Sequence, residues 1–518
     1  MPLHSASAIL AAVLSCSRAA PGYPESDEAK VQETLREMTT EEKFLQTCID
    51  AGCAESRARW FECHALGEGS ELGGGDSWFV LKDLPRLGVR GMRMRDGPKG
   101  LTCQGGQPFG RPCPEDGTSP SFPSQVLRGA TWNAELEEEI GRAIGEIGVL
   151  LDVHAALLPT INILPWLNWG RAQESYGEDP FFSGKMGAAV VRGVQHDQKV
   201  MATAKHFLAN NIENTRWWVS AEMDEQTLHD VYLRAWALVV RESAPELVMT
   251  SYNRVQGRWP FADPKFISIL RDQLGFDGSI MTDWFASWEG ITSGRILFHE
   301  GTSSPYFFTP PGYMKSNSLY GAGVDMEMPL CNKNRDAVSE AQMCSDAQES
   351  CATKRYLDAA VERILRSKSR YGLFGPSRNH SLVSWDNEKF DRLSLRAAQE
   401  GMVLLKNHGL LPQAPGVRVA VLGTPETLEL GDHGSSAVKP SGRHVTVLQG
   451  LQDKFGAENV RHIAEESSEN TAYLTSAGLV VIDVGLDHLF EGEFIPPETG
   501  GDRKYLTLHA WQEAVIHK

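Results

Sequence analysis

Short apolar runs alternate with amphipathic segments along residues 25–370 of the chain. The runs in "AALLPTINILP", "KVMATAKHFLANN", "PELVMTSYNRV" and "FDGSIMTDW" predict buried strands that end in polar residues. The segments "AELEEEIGRAIGEIGVLLD" and "DEQTLHDVYLRAWALVVRES" repeat apolar positions at helical spacing and carry acids near their start. Because strands and helices alternate, we predict an α/β fold with a parallel sheet, and its simplest form is a (β/α)8-type TIM barrel with the site at its C-terminal rim.

A second domain is predicted beyond this barrel. The segment "YGLFGPSRNHSLVSWDNEKF" is rich in Gly, Pro, Ser and Asn, so residues 371–394 are interpreted as a linker. From Leu393 onward, "LSLRAAQEGMVLLKN" and "LQGLQDKFG" predict helices, "VRVAVLG" and "AGLVVIDVGLD" predict strands, and the domain is assigned to residues 395–518. We therefore expect a partial α/β sandwich domain, apparently truncated, whose small sheet leaves a face and an edge uncovered.

Composition narrows the classes of partner. At 518 residues, the chain is long enough for two domains with buried cores. Its 50 basic and 67 acidic residues give a formal charge of −17, which argues against a nucleic-acid or anionic-membrane partner. A small neutral or cationic ligand fits this surface better.

The first twenty residues, "MPLHSASAILAAVLSCSRAA", predict a secretory signal peptide over residues 1–20 with cleavage near Ala20. The apolar run ends in small residues before Pro21, although His4 is the only basic group at its start. No other stretch approaches the roughly 20 apolar residues of a membrane span. We therefore expect a secreted protein, and the sequon at Asn379 fits that location.

The cysteines favour disulfides over a metal site. Loss of Cys16 with the signal peptide leaves Cys48, Cys53, Cys63, Cys103, Cys113, Cys331, Cys344 and Cys351. An even number in a secreted chain is typical of disulfide bonding. No CxxC pair with matching histidine spacing occurs, so no metal site is expected.

Polar residues lie where the predicted strands end. These candidates are Asp96, Arg171, Glu174, Lys205, His206, Arg216, Tyr252, Asp283 and Trp284. Carboxylates and bases that bind hydroxyls, beside an indole that packs on a sugar ring, indicate a carbohydrate subsite.

Each candidate also has a structural interpretation. Asp96 could form a turn, Arg171 and Glu174 could be an ion pair three residues apart, and Asp283 could cap a helix. Lys205 and His206 could be a satisfied buried pair. The aromatic candidates, Tyr252 and Trp284, could belong to the core.

Ten segments in order resemble glycoside hydrolase family 3, of the β-glucosidase and β-xylosidase type. They include "RMRDGPKGL", "NWGRAQESYGEDP", "ATAKHFLANN", "LGFDGSIMTDW", "GDHGSS" and "EGEFIPPETGGDRKYLTL", and they span roughly residues 85–510. The "LANN" after "KHF" differs from the Pro-Gly of the β-N-acetylhexosaminidase branch, which favours the glucosidase branch.

The resemblance implies residue roles. Asp283 matches the nucleophile, and a glutamate before the "DR" dipeptide matches the acid/base. Glu491 is favoured for that role because it precedes Gly as in the family pattern, with Glu493 as the alternative. Four residues match positions that hold the hydroxyls of the sugar, two match positions that line the site, and Arg216 is a weaker match. The hydroxyl-holding residues are Asp96, Arg171, Lys205 and His206, and the lining residues are Tyr252 and Trp284.

The implied activity is that of a retaining exo-acting β-glucosidase that works without a cofactor and forms a covalent glycosyl-aspartate. Three alternatives stay open: a β-xylosidase of the same family, a truncated or degenerate homologue that binds sugar without efficient catalysis, and a barrel enzyme of unrelated chemistry. The aromatic, Pro-rich stretch "ILFHEGTSSPYFFTPPGYMKSNSLY" is predicted to rim the mouth of the site.

Overall fold

The computed structural model describes residues 25–49, 79–103, 113–114, 116–287, 318–328, 331–343, 352–375, 385–427, 433–494 and 500–517. The predicted signal peptide, the Asn379 sequon and most of the aromatic, Pro-rich stretch lie outside these residues. Cys53, Cys63, Cys344 and Cys351 lie outside them as well.

The first domain is built on a curled six-stranded sheet with the strand order β1-β2-β3-β4-β6-β8. Its strands are β1 (Val80–Leu81), β2 (Met92–Asp96), β3 (Ala155–Leu157), β4 (Met201–Phe207), β6 (Leu247–Thr250) and β8 (Ser279–Met281). β1 is antiparallel to β2, and the remaining neighbours are parallel. A separate parallel pair consists of β5 (Ser220–Ala221) and β7 (Arg254–Val255).

The curl continues beyond β8. Met326 bridges to Met281 of β8, and Glu327 bridges to Cys48, both in parallel. Ile49 and Leu81 of β1 then belong to one buried cluster, so both ends of the sheet face the same interior. This interior is rich in methionine, with Met92, Met94, Met201, Met249, Met281, Met326 and Met328. The predicted barrel-like domain is confirmed, and its continuous apolar strands follow from burial on both faces.

Helices cover the outside of the sheet. The helices of the first domain are α1 (Glu25–Glu37), α2 (Thr40–Thr47), α3 (Gln125–Ala130), α4 (Ala134–Leu150), α5 (Pro180–Val194), α6 (Glu225–Thr227), α7 (Leu233–Ser243), α8 (Pro264–Ser268), α9 (Ser318–Ala322), α10 (Asn332–Met343) and α11 (Ala352–Arg370). Segments Leu228–Tyr232 and Ile269–Gln273 are π-helical, and Pro85–Leu87 and Ala172–Glu174 are 3-10 turns. Asn133 caps α4 and Asp179 caps α5, so the polar residue before each apolar pattern sets where the helix begins.

One predicted strand of this domain is shorter than expected, and one predicted helix contains a π-helical segment. The apolar segment 155–165 forms a strand only over Ala155–Leu157, because the following residues turn into the loop that carries Arg171. The single helix predicted over 224–243 consists of α6, the π-helical segment and α7 without a break.

The second domain holds a parallel three-stranded sheet in the order β10-β9-β11. Its elements are α12 (Asn387–Gly401), β9 (Val419–Gly423), α13 (Val447–Phe455), the 3-10 turn Ala457–Asn459, β10 (Val460–His462), α14 (Ser468–Ser476), β11 (Leu479–Asp483) and α15 (Ala510–His517). Val480 and Ile482 on one face of β11 are 44% and 37% exposed, as expected for so small a sheet.

The helix predicted over 393–407 is wrong beyond Gly401. Met402 already has extended angles, with φ −70° and ψ 126°. A Cβ on Gly401 would lie 2.4 Å from Leu127 Cδ2, so α12 ends where its backbone meets the barrel. The same helix begins at Asn387, inside the predicted linker.

Two disulfides lie within the described residues. Cys48 pairs with Cys331 across a sequence separation of 283, and Cys103 pairs with Cys113. The first joins the segment after α2 to the start of α10.

Candidate active site

The polar residues that end the barrel strands come together at one rim. Asp96 is the last residue of β2, and Lys205 and His206 lie near the end of β4. Tyr252 and Asp283 follow β6 and β8 by two residues. Because these strands are parallel, their carboxyl ends meet, and all five side chains are buried there.

Asp96 and Lys205 form an ion pair across the rim. Lys205 Nζ donates to Asp96 Oδ1 at 2.9 Å. Burial raises the pKa of Asp96, and the positive charge of Lys205 opposes that rise. The turn interpretation of Asp96 does not account for this contact.

Arg171 is held rigidly by Glu174. Arg171 Nε and Nη2 each donate to a different Glu174 oxygen at 2.9 Å, and Thr160 Oγ1 donates to Glu174 Oε2 at 3.0 Å. The ion-pair interpretation is confirmed here. It is compatible with a binding role, since the pair orients the Arg171 guanidinium into the site.

Asp283 presents a carboxylate oxygen to the site. Its Oδ1 accepts from Trp284 N at 2.7 Å. Its buried Oδ2 accepts no hydrogen bond of ordinary geometry from the described residues, and His206 Nε2 lies 3.6 Å from it. Burial raises the pKa of Asp283 to about 6, while Arg216, Arg171 and Lys205 counteract the rise.

His206 is electrically neutral at neutral pH. Burial and the positive charges of Arg171, Lys205 and Arg216 lower the pKa of His206 well below its usual value. Its Nδ1 lies 3.1 Å from Asn162 Oδ1, which fixes the ring orientation. His206 therefore faces Asp283 as a neutral hydrogen-bonding group.

Aromatic residues form one wall. The Arg216 guanidinium lies 4.4 Å from the ring centroids of both Trp217 and Tyr252. Burial and the neighbouring charge of Asp283 raise the pKa of Tyr252 well above its usual value, so the phenol stays protonated. Trp284 is half-buried and packs on Phe79 at 4.7 Å between ring centroids.

The second domain contributes Glu493. Its Oε1 accepts from Arg216 Nη1 at 2.9 Å and lies 3.8 Å from Arg171 Nη1, and its Oε2 accepts from Ser435 N at 2.8 Å. Although burial acts to raise the pKa of Glu493, Arg171, Arg216 and Ser435 together lower it well below its usual range.

Glu491 lies apart from this group. Its carboxylate pairs with Arg503, and its side chain is 23% exposed, against 6% for Glu493. The structure therefore brings Glu493 to Arg171 and Arg216, whereas the Gly that follows Glu491 had favoured Glu491 as the acid/base in the sequence.

Models of two domains of one family match this chain. The glycosyl hydrolase family 3 N-terminal domain matches residues 115–367, and the glycosyl hydrolase family 3 C-terminal domain matches residues 402–518. The chain belongs to glycosyl hydrolase family 3.

Proteins named as beta-glucosidases are similar to this family 3 chain over most of its length. A beta-glucosidase of Rhizobium radiobacter is 31% identical over 440 residues, which cover 82% of this chain and 49% of the relative. Thermostable beta-glucosidase B of Acetivibrio thermocellus is 27% identical over 468 residues, covering 87% of this chain and 56% of the relative. The chain thus spans about half the length of these curated relatives.

A solved structure supports the fold. Beta-glucosidase 3B from Thermotoga neapolitana, in complex with glucose, is 25% identical with a TM-score of 0.68. The likeness covers 92% of this family 3 chain and 64% of the solved one. The two-domain α/β architecture predicted from the sequence is therefore confirmed.

One buried glutamate of this family 3 site was missed in the sequence. Glu213 Oε2 accepts from Arg216 Nη1 at 2.8 Å, and its Oε1 accepts from Trp169 Nε1 at 2.9 Å. Burial raises the pKa of Glu213 to about 7, with Arg216 opposing. The available signal was the spacing of three residues between Glu213 and Arg216 in "ENTR".

Clusters of potential metal ligands were sought in the described part of the chain. In the described ranges, no group of three or more His, Cys, Asp or Glu side chains is arranged to hold a metal ion. The same residues contain no helix long and apolar enough to cross a membrane.

Proposed function

We propose that this chain hydrolyses β-glucosides with retention of configuration, using Asp283 as the nucleophile and Glu493 as the acid/base. The observation that carries the proposal is the pair of buried carboxyl groups, one from each domain. Arg171 and Arg216 act electrostatically on both. Relatives named as beta-glucosidases support glucose as the sugar.

In the first step, Asp283 Oδ2 attacks the anomeric carbon while the leaving oxygen takes a proton from Glu493. A covalent glycosyl-aspartate forms, and the aglycone departs as an alcohol. In the second step, Glu493 takes a proton from water, and the resulting hydroxide displaces Asp283 from the anomeric carbon. Two inversions give net retention. The pKa of Asp283 is about 6, so at a pH above this value Asp283 is ionised and able to attack.

Glu493 must change partners during this cycle. Beside Arg171 and Arg216 it is ionised, and an ionised carboxylate has no proton to give. Sugar hydroxyls that bind the two arginines would weaken those contacts and raise the pKa of Glu493, since the arginines are the groups that lower it.

The remaining rim residues would hold the sugar at the cleaved bond. The Asp96 carboxylate accepts hydrogen bonds from hydroxyls, and Lys205 and Arg171 donate to hydroxyl oxygens. Neutral His206 can accept a hydrogen bond at Nε2, because its Nδ1 donates to Asn162 Oδ1. Tyr252 and Trp284 would contact the ring, which suits exo-action on the terminal residue of a glucoside.

Hydrolysis of an aryl β-glucoside by the full chain tests the proposal. We expect turnover, a β-configured first product by NMR, and loss of turnover in Asp283→Asn. Asp277→Asn is the matched control, because Asp277 is exposed on the barrel and pairs only with Arg370 among the described contacts. Turnover retained in Asp283→Asn, or an α-configured first product, would contradict the assignment.

Sugar binding without efficient catalysis is the second candidate function. The double contact of Glu493 with Arg171 and Arg216 favours it, because this arrangement withholds the acid's proton. Calorimetric binding of glucose by a folded chain that hydrolyses neither activated nor unactivated glucosides would establish this candidate.

A β-xylosidase with the same mechanism is the alternative in substrate preference. The kcat/KM values for matched aryl β-glucoside and aryl β-xyloside decide between the two sugars. We expect the glucoside to be preferred, and a higher value for the xyloside would identify a β-xylosidase.

We also propose that the protein is secreted. The two disulfides within the described residues fit an oxidising compartment. Expression of the full sequence in animal cells should place the protein in the medium, and retention in the cytosol would refute secretion.

A further inference from the structure

Asp502 joins the second domain to the rim of the barrel. Its Oδ1 accepts from Gly170 N at 3.0 Å and Glu213 N at 2.9 Å. Its Oδ2 accepts from Glu213 N at 3.0 Å and Asn214 N at 2.9 Å. We propose that Asp502 is a positioning residue that holds the loop carrying Glu493 in register with the barrel.

The contact is reciprocal. Asn214 Oδ1 accepts from Asp502 N at 3.0 Å. The next residue continues the docking, because Arg503 N donates to Asn168 O at 2.8 Å and Asn168 Nδ2 donates to Arg503 O at 3.1 Å. Residues 502 and 503 therefore bind two barrel loops at once, the one after β3 and the one after β4.

Each of the two barrel loops carries one of the arginines that contact Glu493. Gly170 directly precedes Arg171, and Glu213 accepts a hydrogen bond from Arg216. Asp502 thus binds the backbone beside each arginine rather than a remote part of the surface.

Asp502 is also linked to Glu493 by a backbone hydrogen bond within the second domain. Gly492 N donates to Gly501 O at 3.1 Å, which closes the base of the loop between them. Fixing residue 502 therefore fixes the backbone that precedes Glu493.

The two domains approach too closely for a side chain at this junction. A Cβ on Gly170 would lie 2.3 Å from Gly492 O and 2.4 Å from Gly501 O. Such backbone proximity leaves little room for the loop to slide. Hydrogen bonds from N–H groups to a carboxylate are stronger than those to a neutral acceptor, so the negative charge of Asp502 suits the role.

This inference rests on the proposed function, in which Glu493 protonates the leaving oxygen. A general acid must stand within hydrogen-bond reach of that oxygen, whereas an activated leaving group departs with little help. A displaced Glu493 loop should therefore impair hydrolysis of substrates with poor leaving groups and spare activated ones.

The test compares Asp502→Ala and Asp502→Asn in the full chain, with a dinitrophenyl β-glucoside and cellobiose as substrates. For Asp502→Ala we expect kcat/KM to fall about 100-fold on cellobiose and less than about threefold on the activated glucoside, the size of a general-acid contribution. Asp502→Asn keeps one acceptor oxygen and should fall between wild type and Asp502→Ala.

Asp487→Asn is the matched control. Asp487 precedes Glu493 in the same domain, but its Oδ1 accepts from Leu489 N in its own segment. This variant should match wild type on both substrates. Equal losses on both substrates in Asp502→Ala, or a selective loss in Asp487→Asn, would overturn the proposal.

Amide hydrogen exchange tests the Asp502 contact by a measurement that does not depend on catalysis. The amides of Glu213 and Asn214 should exchange faster in Asp502→Ala than in wild type, because their acceptor is gone. Unchanged exchange would refute the contact. Faster exchange in a chain whose wild type hydrolyses neither substrate would confirm the contact and reject the proposed function.

Discussion

At the scale of single residues, the site depends on a balance between burial and cationic charge. Asp283 and Glu493 are both buried, yet their pKa values shift in opposite directions. Glu493 contacts two guanidinium groups directly, whereas Asp283 has only longer-range interactions with them. The number of direct Arg contacts therefore accounts for the opposite directions of the two pKa shifts.

The pKa of Asp283 predicts the acid limb of activity. Because Asp283 must be ionised to attack, kcat/KM for an activated aryl β-glucoside should fall as the pH drops through about 6. Arg216→Gln removes a cation that lowers this pKa, so the limb should move up by about one pH unit. A pH–rate profile measures the shift, and a limb that moves down would contradict the assignment.

Substitutions of Glu493 and Glu491 are expected to have different effects on activity. Glu493→Gln should lower kcat/KM on cellobiose by about 100-fold or more, because the proton donor is removed. Glu491→Gln is the matched control and should stay near wild type, since Glu491 pairs with Arg503 away from the site. Steady-state kinetics of both variants decide the matter, and the reverse pattern would assign the role to Glu491.

At the scale of elements, close packing of helices around the barrel limits which residues are tolerated. α4 and α5 meet through glycines: a Cβ on Gly193 would lie 2.2 Å from Glu138 O and 2.8 Å from Gly141 Cα. Both contacts are with backbone atoms, which cannot rotate away as a flexible side chain could.

Gly193→Ala is therefore expected to destabilise the barrel by about 1–3 kcal/mol through overpacking. Gly321→Ala in α9 is the control, since among the described residues its Cβ would make only ordinary contacts with the Tyr356 ring, at 3.6 Å from Cε2 and 3.9 Å from Cδ2. Urea unfolding followed by fluorescence measures both. An unchanged midpoint in Gly193→Ala would show that the two helices separate easily.

At the scale of the whole molecule, Lys368 forms hydrogen bonds that connect three segments distant in sequence. This fully buried residue of α11 donates to Gln46 Oε1 in α2 and to Arg90 O just before β2. Burial lowers the pKa of Lys368 to about 7, which means that the folded chain holds its proton less firmly than the unfolded chain does.

This difference makes stability depend on pH. Between the folded pKa of about 7 and the ordinary value of 10.5, the unfolded state binds more protons, so the contribution of Lys368 to stability increases with pH. From pH 7 to pH 9, wild type should gain up to about 2 kcal/mol relative to Lys368→Met. Urea unfolding at both pH values measures the difference, and parallel pH dependences would contradict it.

Local patterns predicted most elements of the fold but not all their ends. β8 and α4 were predicted close to their observed bounds because strand and helix periodicities are properties of adjacent residues. The end of α12 at Gly401 was missed because contact with Leu127 of the barrel sets it, and no pattern within the helix records that contact.

The sequence by itself determined the alternation of strands and helices, the family, and the polar residues at the strand ends. It did so because each strand carries its own apolar run and terminal polar group. Tertiary structure alone separated Glu493 from Glu491. The two residues have the same side chain, and only the approach of the second domain brings Glu493 to Arg171 and Arg216. Local sequence cannot encode which of two nearby carboxylates meets a guanidinium some hundreds of residues away.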